Sequence, residues 1–158
     1  IAALIAGARV HVEAQTRRAL ITQSWRIIRD AWPRDGRIVV THSPLRALLA
    51  ARVYRLDGSV HEIGIAGFAA DVASAPAILS YVTGVLPAPG RAVAGIEIDV
   101  EVGYGDTPAS VPEGLRQAIR VLITHWYENR GLIAAGSGVA VLPQSVTALL
   151  APYRELAL

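Results

Sequence analysis

Cysteine, lysine and methionine are all absent from this chain of 158 residues, and so are long apolar runs. Without cysteine there is no disulfide framework, thiolate nucleophile or thiolate metal site. Without lysine the chain cannot form the phosphate-binding loop that ends in Gly-Lys-Ser/Thr. The longest apolar candidate, Leu132 to Pro143, is broken by Gly136, Ser137 and Gly138, whereas a membrane helix needs roughly 18 apolar residues in a row. We therefore expect no membrane segment.

Charge of either sign is also sparse. The formal net charge is only +2, and the 15 basic side chains, all arginine, are scattered along the chain. Nucleic-acid-binding proteins more often gather such residues into a patch or tail. Hydrophobic residues nevertheless make up 53% of the chain and mean hydropathy is +0.40. A chain this apolar without a membrane segment is expected to cover part of its surface with other chains, so we predict an obligate oligomer.

Periodic apolar residues predict three helices. These are Ile1 to about Ala14, a long helix ending near Arg130, and a short helix around Val146, Leu149 and Leu150 that Pro152 ends. The sequence Ser110-Val111-Pro112-Glu113 matches a capping box, in which the serine caps the helix and the glutamate reaches back to it. We therefore expect the long helix to begin there.

Alternating and β-branched patterns predict strands in the first two thirds of the chain. They lie at Ile21–Arg29, Arg37–Thr41, Arg52–Leu56, Ser59–Ile63, Ile78–Val82 and Ile96–Val102. Asp57-Gly58 predicts a tight hairpin turn, because such pairs supply positive φ angles. The expected fold is α+β: a small antiparallel sheet domain, residues 1–138, packed with an N-terminal and a long C-terminal helix, then an extended C-terminal tail, residues 139–158. We also expect the N-terminus to be incomplete, since the chain does not begin with methionine.

Polar residues crowd the stretch THWYENRG, Thr124 to Gly131. On a helical wheel, Trp126 lies on the apolar face, His125 and Asn129 lie at its margin, and Glu128 lies on the far side. A hydrolase built around His125, Glu128 or Asn129 would need these groups to converge, and a metal would need more ligands on one face. We therefore expect no enzymatic activity, metal or cofactor. Arg130 is placed to stack on Trp126 or to complement the helix dipole.

Three carboxylates, Glu97, Asp99 and Glu101, alternate with apolar residues in the strand Ile96–Val102. Such a row has three interpretations: paired catalytic carboxylates, a calcium-binding face, or the solvated side of a half-buried strand. The last is the commonest. The sequence therefore predicts a strand with one buried face and one acidic face.

Three segments together resemble the head-to-tail connector, or adaptor, proteins of long-tailed phages and phage-derived gene transfer agents. The first is VEAQTRRALITQSW, Val12 to Trp25. The second is Val100 to Arg130, with VGYG, VP, LRQAI and HWYENR in order. The third is the tail LPQSVTALLAPYR, Leu142 to Arg154. Two departures stand out: Arg17 replaces a usual glycine, which predicts a differently closed helix end, and Phe68 to Gly90 does not follow the family pattern.

The resemblance implies a structural virion component with no catalytic role. Such proteins form a dodecameric ring beneath the capsid portal protein, receive a neck or tail-completion protein below, and let double-stranded DNA pass through the centre. They are made in the bacterial host cytoplasm and lie in the virion neck, and the missing N-terminus would carry a further helical segment. The expected subunit and portal contacts are Trp126, Tyr127, Glu128, Arg130, Leu142, Leu149, Leu150, Tyr153 and Arg154.

The same resemblance suggests a role for the acidic strand. Because carboxylates repel phosphates, Glu97, Asp99 and Glu101 are expected to face the channel or to pair with a neighbour's Arg116 and Arg120. Truncation after Gly138 is expected to abolish portal docking and leave the domain folded. The alternative is a nucleic-acid-binding module that uses the scattered arginines, and it predicts salt-sensitive DNA affinity.

Overall fold

The computed structural model describes residues 1–129 and 142–154. The chain divides into two compact units. A helical unit combines residues 1–21 with the chain from residue 105 onward, and a sheet unit spans residues 22–104. The α+β class predicted from the sequence is confirmed, with two antiparallel sheets in place of a single one.

The helical unit contains α1 (Ala2–Thr16), α2 (Glu113–Glu128) and α3 (Gln144–Leu150), with a 3-10 turn at Ala151–Tyr153. Its core residues recur at helical spacing and are almost completely buried: Ala8, Val12, Leu115, Ala118, Leu122, Val146 and Leu150. The helix packing therefore follows the periodicities in the sequence. The short amphipathic helix predicted in the tail is confirmed, and it packs against α2.

Four strands form the larger sheet in the order β1 (Gln23–Arg29), β7 (Ile96–Val102), β3 (Leu45–Tyr54) and β4 (Val60–Ile63). Every neighbouring pair is antiparallel. The alternation predicted for β7 is confirmed, since its four apolar residues are fully buried and its three carboxylates are partly exposed. One face of β7 therefore anchors the core of the sheet unit, and the other carries charge.

A smaller sheet has the order β2 (Arg37–Val40), β6 (Ala77–Tyr81) and β5 (Phe68–Asp71). Ile38 faces Leu79 across it, and both are buried. The strand predicted at residues 78–82 is confirmed, and it starts and ends one residue earlier. The sequence did not predict β5, whose four residues include two alanines and only one large apolar side chain.

The hairpin predicted at Asp57-Gly58 is confirmed, but its turn chemistry differs from the expectation. Only Gly58 has positive φ, at 84°. The Gly58 amide donates to the Arg55 carbonyl at 3.0 Å, and the Arg55 amide donates to the Ser59 carbonyl at 2.9 Å. This is a three-residue loop in which the glycine occupies the left-handed position. The Asp57 carboxylate accepts a hydrogen bond from the Ser59 amide instead of contributing a positive φ.

The capping box predicted at Ser110–Glu113 is wrong. Val111 is extended (φ −78°, ψ 133°), as expected for a residue before proline. The helix begins only after Pro112, with no side-chain cap. Ser110 lies in a 3-10 turn and its hydroxyl contacts that of Thr107 at 3.4 Å. Glu113 pairs with Arg120 at 2.6 Å and does not reach back to the serine.

Arg17 closes α1 in the conformation that favours glycine. Its backbone is left-handed (φ 53°, ψ 29°) at the helix C-cap. A side chain there costs free energy that glycine avoids. The prediction of a differently closed helix end is therefore wrong, because the arginine adopts the glycine-type closure despite its Cβ.

Candidate functional site

In the last turn of α2, Trp126 packs toward the core and Tyr127 lies at the surface. Trp126 is half-buried: it meets His11 edge-on, with 5.9 Å between ring centroids, and lies beside Gly7. Tyr127 is exposed over 51% of its surface, and Glu128 is exposed as well. Among the described residues Glu128 has no ion-pair partner. The turn therefore presents an aromatic ring and a carboxylate side by side.

His125 and Asn129 interact with each other. The Asn129 side-chain amide donates to the His125 carbonyl at 2.8 Å and lies 3.3 Å from His125 Nδ1. This pairing closes the end of the helix locally. Within residues 1–129 and 142–154, no three histidine or acidic side chains are grouped as a metal site would need. His125 and Glu128 line one shallow hollow with Thr124, but among the described side chains the His125 ring contacts Asn129 and not a carboxylate.

The described part of the tail, residues 142–154, packs against its own chain. Val146 and Leu150 have no exposed surface. Arg18 Nε donates to the Tyr153 carbonyl at 2.8 Å, and the Tyr153 ring lies against Gly114. Arg154 donates to the Gln15 side chain at 3.1 Å. Residues 142–154 are therefore part of the folded helical unit.

This packing corrects one predicted interface residue and qualifies the others. Leu150 cannot contact a partner, because its own chain already covers it completely. Leu142, Leu149 and Tyr153 are half-buried, while Arg154 is exposed. These four residues keep exposed surface, so their predicted contacts with a partner stay a prediction. Arg130 and the glycine joint at 136–138 lie outside the described residues.

Arginines from the neighbouring strands pair with the acidic row of β7. Arg26 Nε lies 2.7 Å from Asp99 and its guanidinium also reaches Glu97 at 3.4 Å. Arg52 pairs with Asp99 at 2.6 Å, and Arg46 pairs with Glu101 at 3.1 Å. Each carboxylate of the row therefore has an arginine from its own sheet.

This pairing stabilises the charged form of the central carboxylate, Asp99. A hydrogen bond from Arg26 is the main cause, and one from Arg52 adds to it; together they outweigh partial desolvation and hold the pKa of Asp99 below its usual range. Asp99 is therefore charged at neutral pH. The sequence carried no direct signal for this network, because the register of β1 and β3 against β7 decides which arginines meet the acids.

Glu113 likewise engages the two arginines that were expected to reach a neighbouring subunit. It pairs with Arg120 at 2.6 Å and also contacts Arg116. A hydrogen bond from Arg120 is the largest cause that lowers the pKa of Glu113. Both sets of charges therefore have partners within their own chain. The β7 carboxylates need no pairing with a neighbour's Arg116 and Arg120 to compensate their charge.

Sequence reasoning missed an exposed aromatic pair on the sheet unit. Trp25 stacks on His42 with 3.8 Å between ring centroids and 18° between planes, and Trp25 is 40% exposed. Trp25 belongs to β1, an edge strand, and His42 follows β2. No pattern along the chain relates positions so far apart, so only the fold reveals the pair.

Arginine pairing also bears on the alternative of a nucleic-acid-binding module. Among the described residues, ion pairs are formed by six arginines: Arg9, Arg26, Arg46, Arg52, Arg116 and Arg120. Their charge is partly compensated by the carboxylates with which they pair, and this weakens attraction to a phosphate backbone.

No helix among the described residues is long and apolar enough to cross a membrane.

Solved structures of gene transfer agent (GTA) particles contain chains of similar fold. One, from the neck of a native GTA particle computed with C12 symmetry, has a TM-score of 0.83 and 24% identity; the likeness covers 99% of this chain and 82% of that one. A second, from the neck of an empty GTA particle computed with C6 symmetry, has a TM-score of 0.80 and 26% identity, covering 99% and 78%. A third, from the virion of a native GTA particle, has a TM-score of 0.81 and 24% identity, covering 99% and 77%.

No protein-family profile and no curated protein matches the sequence. The structural likenesses span nearly the whole chain and include both of its units. They support a structural component of the neck of a phage-derived particle, and the two neck structures were computed with C12 and C6 symmetry.

Proposed function

We propose that this chain is a ring-forming head-to-tail connector that docks on the capsid portal, joins it to a neck or tail-completion protein, and forms part of the DNA conduit. The observation that carries the proposal is the likeness over 99% of the chain to a neck component in a particle computed with C12 symmetry. A dodecameric ring follows if this chain occupies the corresponding place.

The helical unit carries residue types that are common at protein–protein interfaces, and these support the proposed ring. A cyclic ring needs two different patches on each subunit, one for each neighbour. Aromatic residues and arginines are enriched among the residues that dominate binding energy. Tyr127 at the end of α2 and Tyr153 and Arg154 of the tail are such residues, as are Trp126 and Arg130 by type. Glu128, Leu142 and Leu149 are the other members of the proposed set.

The acidic row of the sheet unit is compatible with a DNA conduit, but through paired charges instead of the bare carboxylates expected from the sequence. A bare row of carboxylates would repel DNA and a bare row of arginines would bind it. Here Glu97, Asp99 and Glu101 are each paired with an arginine. If this face lines the channel, its ion pairs would present little net charge, so that DNA is neither held nor strongly repelled.

Mass measurement and imaging of the chain with the portal of the same particle test the proposal. We expect twelve copies to add to one portal ring. Monomers in isolation are compatible with the proposal, because subunits of such a ring can assemble on their partner. Failure to extend the portal would refute the connector role.

DNA affinity separates the proposal from the alternative of a nucleic-acid-binding module. The connector should bind duplex DNA weakly even at low salt. Strong binding that weakens steeply with added salt would instead favour the alternative.

A further inference from the structure

An apolar hollow of about 280 Å³ lies in the helical unit, between α1 and the first half of α2. Ile5, Leu20, Ile21, Pro108, Val111 and Ile119 form its apolar lining, and Arg9, Arg116 and Arg120 form its rim. Ile5 remains 49% exposed, so the hollow leaves a large aliphatic side chain in contact with solvent. Residues 1–129 and 142–154 therefore leave part of this apolar surface exposed.

Three arginines line the hollow and, among the described residues, share two carboxylate partners, which leaves one positive charge in excess. Arg9 and Arg120 are more than half exposed; Arg9 pairs loosely with Glu13, at 3.7 Å, and Arg120 pairs with Glu113 at 2.6 Å. Arg116 contacts Glu113, but its Nε is buried without a hydrogen-bond partner. An occupant should therefore combine an apolar side chain for the floor with a carboxylate for the rim.

The same chain carries a segment with this chemistry elsewhere in the helical unit. Its exposed large apolar side chains among the described residues are Ile1, Ile5, Val10 and Tyr127. Of these, only Tyr127 has a carboxylate next to it in the chain, that of Glu128. As noted above, Glu128 has no ion pair among the described residues. The segment therefore matches the hollow in chemistry, with an aromatic ring for the apolar lining and a carboxylate for the arginines.

We propose that Tyr127 of one copy inserts into the Ile5–Ile119 hollow of the next copy, with Glu128 held by the arginine rim. The proposal rests on the ring proposed above and assigns one of its subunit contacts. Because the segment and the hollow are different patches of the same unit, the contact is head-to-tail and can repeat around a ring.

The absence of cysteine gives a direct test. A chain carrying Arg9→Cys and Glu128→Cys keeps Tyr127 and Ile5, and both substituted positions are exposed. Rings assembled on the portal are treated with a mild oxidant and run on a non-reducing gel. We expect a ladder of covalently linked subunits. The matched control carries Val10→Cys with Glu128→Cys, since Val10 is exposed on the same helix but does not line the hollow, and it should give no ladder.

A second variant tests the aromatic contact itself. Tyr127→Ala should weaken ring formation about tenfold or more, as expected for loss of an aromatic anchor. Val10→Ala should not, and both should unfold at the temperature of the parent chain. Rings that form on the portal yet give no ladder, and that tolerate Tyr127→Ala, would overturn the contact and leave the connector role standing. Absence of any ring on the portal would overturn both.

Discussion

Removing the Leu150 side chain tests whether the tail helix is part of the fold. Leu150 has no exposed surface and α3 packs against α2. Leu→Ala at a fully buried site costs about 2–5 kcal/mol, from lost transfer free energy and the remaining cavity. We therefore expect Leu150→Ala to lower the free energy of unfolding by about 2–5 kcal/mol. A tail that only reached out to a partner would lose nothing measurable.

Urea unfolding followed by far-ultraviolet circular dichroism measures this change as a shift in midpoint at constant slope. The matched control is Leu149→Ala, one residue earlier in the same helix, where the side chain is only half-buried, and its cost should be clearly smaller. A loss below about 0.5 kcal/mol for Leu150→Ala, the range of surface substitutions, would refute the packing argument. If the argument holds, truncation after Gly138 will also destabilise the helical unit, contrary to the expectation from sequence.

Three further substitutions test other features. Asp99→Asn should destabilise the sheet unit at neutral pH, because the paired Asp99 has a lowered pKa. As the pH falls below about 4, the parent chain loses the same contribution, so the difference in unfolding free energy between parent and variant should shrink. A difference that stays constant with pH would contradict the pairing with Arg26. Arg17→Gly should raise the unfolding free energy by about 0.5–1 kcal/mol by relieving the left-handed backbone; a lower melting temperature would contradict this. Gly90→Ala should be strongly destabilising, since its Cβ would lie 2.2 Å from the Leu56 backbone nitrogen, and unchanged stability would mean that the loop moves away.

The fold was predictable wherever one residue pattern carries the information. The alternation in Ile96–Val102 gave both the bounds of β7 and its buried face, and Asp57-Gly58 located the hairpin. The strand β5 was missed because its sequence, FAAD, has weak strand propensity; pairing with β6 holds it in place. The capping box failed because the proline inside it extends the residue before it.

The candidate site was predictable only in part. The sequence identified Tyr127 and Glu128 as outward-facing at the end of a helix, because the wheel depends only on local spacing. It could not show that Leu150 is fully covered by its own chain, nor that Arg18 holds the Tyr153 carbonyl, because these contacts join residues far apart in the chain.

The sequence by itself determined the α+β class, the acidic face of β7, the resemblance to connector proteins and most helices and strands, though not β5 or the first seven residues of β3. Each of these depends on residues close together in the chain or on motifs in fixed order. Only the tertiary structure decided which charges are compensated and which apolar surface is left uncovered. Both depend on neighbours brought together by folding, as Arg26 and Arg52 are around Asp99, and as α1 and α2 are around the hollow beside Ile5.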